Sequence, residues 1–165
     1  MSATVVVCGL GQTLRRDDAV GLEAVRRWQA SDRRVAAHPA VAVHLLELPG
    51  LALLDALEGA QAALLVDAVN SGAPAGTLHH LPAERLAAFA AGAASAHGWG
   101  VAETLKLAHT LGRRLPPVVE VLAIEAADLR LGTSLTPEVA AALPAATAAI
   151  AAWVRRHLPA EVVDA

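Results

Sequence analysis

Apolar runs of strand length alternate along this chain with segments whose apolar residues recur at helical spacing, a pattern that builds a sheet with crossover helices. Five runs qualify: residues 4–10, 41–46, 62–66, 77–81 and 118–124. The first passes through Gly9 and Gly11 into a helix expected over about 19–30, with Asp17 or Asp18 at its N-terminus. After the second run Pro49 opens a short helix with Leu51, Leu54 and Leu57 on one face, and Gly59 stops it. Asp67 ends the third run, and SGAPAG at 71–76 reads as a turn. Beyond the fourth run come a small helix from Pro82, a glycine-rich loop carrying His97, and a helix over about 99–111. Thr136 and Pro137 form an N-cap and N1 pair for the last helix. The expected fold is a single α/β domain over 1–165, a five-stranded, mostly parallel twisted sheet with helices on both faces, and a tail fraying over 159–165. A chain of 165 residues fits one core.

Composition removes several function classes. Aromatics are 2% of residues and tyrosine is absent, so there is no material for a base-stacking surface. A net charge of -3 and a pI near 6.1 give no reason to attract polyanions, and nucleic acid is not expected as a partner. Hydrophobic residues reach 55% with mean hydropathy +0.47, but much of this is alanine, so leucine and valine must carry the core. The apolar stretch 139–154 is shorter than the roughly 20 residues of a membrane span and contains Pro144, so it reads as a core helix. MSATVVVCGL lacks a basic leader and reads as a strand, which gives a cytoplasmic expectation. Cys8, the one cysteine, lies inside that strand and reads as an inert buried thiol.

In an open α/β sheet, ligands bind outside the carboxyl ends of the strands. The loop GLGQTLRRDDAVG leaves the first of these ends and begins like a dinucleotide fingerprint, with Glu47 imitating the ribose-binding acid. Against a nucleotide, Leu14 stands at the third glycine position, and Asp17 and Asp18 put negative charge where a pyrophosphate would sit. Those acids suit a cation, although either can instead cap the helix, and Asp17 is the better candidate for plain capping or solvation. Asp67 follows the apolar run AALLV, where a carboxylate needs a charged or donating partner; backbone amides of the following VNSG are one source. His97 sits in SAHGWG between small residues that leave its ring accessible. The other six histidines, His79 and His80 on alternate strand faces among them, default to structural or solvent roles. If the loops converge, Asp18, Asp67 and His97 form an oxygen, oxygen, nitrogen set suited to nickel or zinc. Three ligands leave positions open, so such a site would hold free metal loosely and accept one ligated from elsewhere.

GLGQTLRRDDAVG, LLVDAVNSGAPAGTLHHL, SAHGWGVAETLKLA and EVLAIEAADLRLGTSLTPEV follow one another in the order seen in the hydrogenase maturation proteases, which the chain resembles to about residue 140. The resemblance implies a metal site of Asp18, Asp67 and His97. It also implies an endopeptidase that clips a C-terminal extension from the nickel-loaded large-subunit precursor of a nickel-iron hydrogenase, reading the nickel as the recognition element. Nickel then comes with the substrate, and no tightly bound cofactor is expected. The implied partner is that precursor; a monomer is expected, although the sequence does not reveal the oligomeric state. Two positions depart from the family's pattern: Gln12 replaces the usual asparagine, and ELPG at 47–50 replaces a DGGT-like segment, which leaves the processed protein open.

The catalytic step is open at this point among Asp18 as general base, Asp67 as general base, and metal polarisation of water or the carbonyl. The family's grouping with aspartic endopeptidases lacks the DTG or DSG motif here. A G-x-S-x-G elbow is also absent, and Ser71 and Ser95 read as ordinary loop residues. Two rivals keep part of the same picture: a non-catalytic nickel-dependent escort of the precursor, and a Rossmann-like nucleotide binder.

Overall fold

All five apolar runs become strands. In the computed structural model, which describes residues 4–48, 50–90 and 100–163, β1 is Val5–Leu10, β2 Val41–Leu46, β3 Ala62–Val69, β4 Leu78–Pro82 and β5 Val118–Glu125. Among the described residues they form one sheet in the order β2-β1-β3-β5-β4. β1, β2, β3 and β5 run parallel and β4 runs antiparallel along β5. The direction of β4 follows from chain length, because residues 70–77 are too few for the crossover of a dozen or more residues that a parallel return needs.

The described helices are α1 Val20–Ser31, α2 Arg33–Ala36, α3 Gly50–Leu57, α4 Leu86–Ala90, α5 Val101–Thr110, α6 Pro137–His157 and α7 Ala160–Val163. Side chains alternate across each strand, so one sequence supplies two cores. Val5, Val7, Leu64, Val66, Leu122 and Ile124 meet α1 and α6 on one face, with Trp28 and Trp153 fully buried between them. Val6, Cys8, Ala63, Leu65, Val121 and Ala123 meet α3 and α5 on the other.

Several expected details change. β3 continues past Val66, and Asp67, Ala68 and Val69 pair with Ala123, Ile124 and Glu125, so Asp67 lies within the strand instead of ending it. On α3 the buried residues are Leu53, Leu54 and Leu57, while Leu51 is 57% exposed. At 100° per residue Leu51 stands about 160° round the helix from Leu53. Gly59 does end this turn, at φ 77°; Pro49 lies outside the described residues. α6 runs unbroken through Pro144, and at 21 residues it is long and apolar enough to cross a membrane, so neither length nor proline identifies it as a core helix. Its packing does: Val139, Leu143, Ala146, Ile150, Trp153 and Val154 are buried in the α1 face. Pro144 is exposed, so the carbonyl it leaves unbonded one turn earlier faces the solvent side. Within the tail expected to fray, α7 is helical because Val162 and Val163 pack on the core and Arg34 donates to the Val163 carbonyl at 3.1 Å.

Candidate active site

β1 hands the chain to α1 through a loop that ends in a 3-10 turn, Arg16–Ala19. Two glycines press this segment onto the sheet. A Cβ at Gly11 would lie 1.9 Å from the Asp18 carbonyl oxygen, and one at Gly21 would lie 2.2 Å from the Val66 carbonyl and 2.4 Å from that of Leu10. Only glycine allows such backbone contact. The 3-10 turn therefore touches β3, and Asp18 and Asp67 belong to elements in direct contact at the carboxyl ends of β1 and β3. Asp18 is 1% exposed and its Oδ2 accepts the Gln12 N–H at 2.9 Å. Asp67 is half-buried and its Oδ1 accepts the Ala68 N–H at 2.8 Å.

Asp17 is no solvated cap. It is fully buried and accepts hydrogen bonds from the Ala127 N–H (2.9 Å), the Asp128 N–H (2.9 Å), the Thr136 N–H (2.7 Å) and the Thr136 hydroxyl (2.9 Å). One carboxylate thus closes both ends of the loop between β5 and α6. Thr136 does occupy the N-cap position with Pro137 at N1, but its hydroxyl serves Asp17 and makes no capping bond. The preceding residue, Arg16, has φ 45°, a left-handed conformation that costs a non-glycine residue about 1 kcal/mol or more. The Arg16 N–H bonded to the Gly132 carbonyl at 3.1 Å, together with the Asp17 ties, holds it there.

Features that resemble a nucleotide site are engaged internally. The Gln12 amide, where a phosphate would be cradled, is donated to Asp18. Glu47 accepts both the N–H and the hydroxyl of Thr13, at 2.9 and 2.6 Å, and these bonds, the hydroxyl's foremost, hold its carboxyl below the usual range.

Glu125 is a buried carboxylate that no expected role covers. It ends β5, is fully buried, and accepts from the Ser71 N–H (2.6 Å), the Ser71 hydroxyl (2.8 Å) and the Gly72 N–H (3.1 Å), with His79 Nε2 at 3.1 Å. Of the loop amides considered as partners for Asp67, those of Ser71 and Gly72 go to Glu125. The signal was present: Glu125 follows the apolar run VLAI much as Asp67 follows AALLV, and a carboxylate in that position requires donors. Ser71 is accordingly a structural ligand of a carboxylate, not a bystander. His79 takes the structural role expected of it, its ring tilted at 58° against Phe89 with centroids 4.7 Å apart. Burial pushes the Cys8 thiol up to about 12, which agrees with an inert cysteine.

His97 lies outside the described residues, as does Ser95 and the start of the helix expected at 99. Among the described residues no group of three histidine, cysteine or acidic side chains is arranged to hold a metal ion. The described chain resumes at Gly100 and enters α5, whose Val101, Ala102 and Leu105 pack on the sheet face that carries Val69, two residues from Asp67 and on the same side of the strand. Because α5 leads into the start of β5, its first turn lies towards the strands' carboxyl ends.

With that geometry in view, the profile of the hydrogenase maturation protease family (HycI) matches residues 39–153. The chain belongs to this family. Among solved structures, it is similar to the [NiFe] hydrogenase maturation protease HybD from Thermococcus kodakarensis, with 25% identity, a TM-score of 0.70, and 91% of this chain and 98% of that one covered. The fold is shared with the hydrogenase maturating endopeptidase HybD from E. coli (24% identity, TM-score 0.73, 92% of each chain). It is also shared with the [NiFe] hydrogenase maturation protease HycI from Thermococcus kodakarensis (18% identity, TM-score 0.63, 93% of each chain). Comparison with curated protein sequences gives no match. Family membership makes the chain a peptidase and leaves the nucleotide reading without support.

Proposed function

We propose that this peptidase removes a C-terminal extension from the nickel-loaded large-subunit precursor of a nickel-iron hydrogenase, with Asp18, Asp67 and His97 meeting the precursor's nickel. The observation that carries the reading is the contact between the Asp18 turn and β3 at the sheet's carboxyl end, in a chain of the maturation protease family. Oxygen donors from two rigid elements and one imidazole suit a borderline divalent ion. Without a thiolate or a fourth protein ligand, they suit one that arrives already ligated by the substrate. Docking the nickel centre then holds the scissile peptide at a fixed place, so recognition becomes proximity.

The two acids differ in access, and that difference assigns their roles in this reading. Asp18 is buried and bonded to the Gln12 amide, which suits it to orient the incoming centre. Asp67 is half-buried and open enough to share a water, so it takes the proton from the attacking water as general base. The aspartic-type label describes that step without requiring a pepsin-like pair.

The test is processing by three variants, Asp18→Asn, Asp67→Asn and His97→Ala, scored by intact mass of the precursor and by circular dichroism for folding. Asp67→Asn is expected to lose at least about 100-fold in rate, the lower range for a removed general base, and Asp18→Asn and His97→Ala to lose processing together with the docking of the nickel centre, with the fold retained in all three. Undiminished cleavage by Asp67→Asn would overturn the assignment.

A further inference from the structure

The geometry points to Glu125 as a positioning residue that sets the place of Asp67 through the loop after β3, an inference that rests on the proposed role of Asp67. Val69, two residues beyond Asp67, pairs with Glu125, and the Ala126 N–H donates to the Val69 carbonyl at 2.8 Å. Beyond Val69 the chain must turn away from the sheet. The Glu125 carboxylate takes both amides of that turn, Ser71 and Gly72, together with the Ser71 hydroxyl, while His79 Nε2 donates from the antiparallel strand on the other side. The backbone of Glu125 completes the clamp: its carbonyl accepts the Gly76 N–H at 2.8 Å and its N–H donates to the Thr77 carbonyl at 2.9 Å. Both ends of the loop between β3 and β4 are therefore fastened to one residue.

The same short stretch also holds the other acid. The N–H groups of Ala127 and Asp128, two and three residues past Glu125, are donated to Asp17, the neighbour of Asp18. Residues 125–128 thus form one bridge from the loop after β3 to the turn carrying Asp18. A buried carboxylate with this many donors is costly to replace, and its placement fixes how far Asp67 stands from Asp18. Loosening it lets the end of β3 move, and a small misplacement of a reacting group costs rate far more than it costs affinity.

The experiment measures kcat and KM for cleavage of the nickel-loaded precursor by wild type, Ser71→Ala, Glu125→Gln and Glu125→Ala, with amide hydrogen exchange at Ser71 and Gly72. Folding is checked by near-ultraviolet circular dichroism. The expected series is a few-fold loss of kcat in Ser71→Ala, tenfold or more in Glu125→Gln, which keeps one acceptor, and a hundredfold in Glu125→Ala, with KM within about threefold throughout. Exchange at the two amides rises in step. If Glu125→Ala does not fold, Ser71→Ala and Glu125→Gln carry the comparison. Folded variants that keep wild-type kcat overturn the positioning role and leave the peptidase reading intact. A wild-type protein that leaves the precursor uncut overturns the peptidase reading, and this inference with it.

Discussion

Replacing Asp17 by alanine separates a structural tie from a solvated helix cap. A surface cap contributes about 1 kcal/mol. In the structure the Asp17 carboxylate is fully buried and takes three backbone N–H groups and one hydroxyl from residues 127, 128 and 136. Hydrogen bonds to a charged group contribute about 1.5–3 kcal/mol each, but four donors sharing one carboxylate do not add. Removing the carboxylate strands these neutral donors, each costing about 1–3 kcal/mol when buried and unsatisfied, and with that non-additivity Asp17→Ala should cost about 3–5 kcal/mol. For a chain of 165 residues, each kcal/mol moves the melting temperature by about 2–4 °C, so a drop of roughly 6–20 °C is expected. Asp17→Asn retains the shape and one acceptor while turning an amide NH2 towards donors, and should lie between alanine and wild type. Urea unfolding of the three proteins at pH 7 with a common slope gives the differences directly. A loss below about 1 kcal/mol for Asp17→Ala would refute the tie and restore the simple cap.

Three further outcomes follow from packing and local charge. Gly21→Ala would put a Cβ 2.2 Å from the Val66 carbonyl oxygen and is expected to cost at least about 3 kcal/mol in urea unfolding, because neither backbone segment can yield; a wild-type midpoint would contradict the close approach. Cys8, with its thiol raised to about 12, should resist a disulfide-forming thiol reagent at pH 8 until denaturant is added, and immediate stoichiometric labelling would contradict its burial. Glu47 titrates below its ordinary range because Thr13 bonds its charged form, so the tie is complete above that range and is lost as pH falls through the lowered value. In Thr13→Val the hydroxyl bond is lost while the amide bond stays, so NMR titration should move Glu47 part of the way back towards ordinary carboxylate behaviour; an unchanged titration would show that the hydroxyl is not the main cause.

The sheet was legible because each strand is an apolar run bounded by glycine, proline or a carboxylate, and the topology follows from the lengths of the connections. The far ends of elements were harder to read. β3 runs on through Asp67 because Ala123 to Glu125 offer it a partner, and nothing local to Asp67 encodes a ladder on the neighbouring strand. α6 survives Pro144 because Leu143 and Ala146 anchor it on either side, a tertiary effect. In the candidate site, Asp18 and Asp67 were visible as acids at strand ends. The use of Asp17 and Glu125 as buried clamps depends on donors 110 and 54 residues away, a separation that sequence spacing does not display.

The measurement that tests the central claim most directly is the intact mass of a hydrogenase large-subunit precursor after incubation with the purified protein, with and without nickel. The proposed function predicts loss of a C-terminal peptide from the nickel-loaded precursor alone, catalytically and with many turnovers per protein molecule. A nickel-dependent complex whose precursor mass never changes would contradict it and identify the chain as an escort instead of an active peptidase.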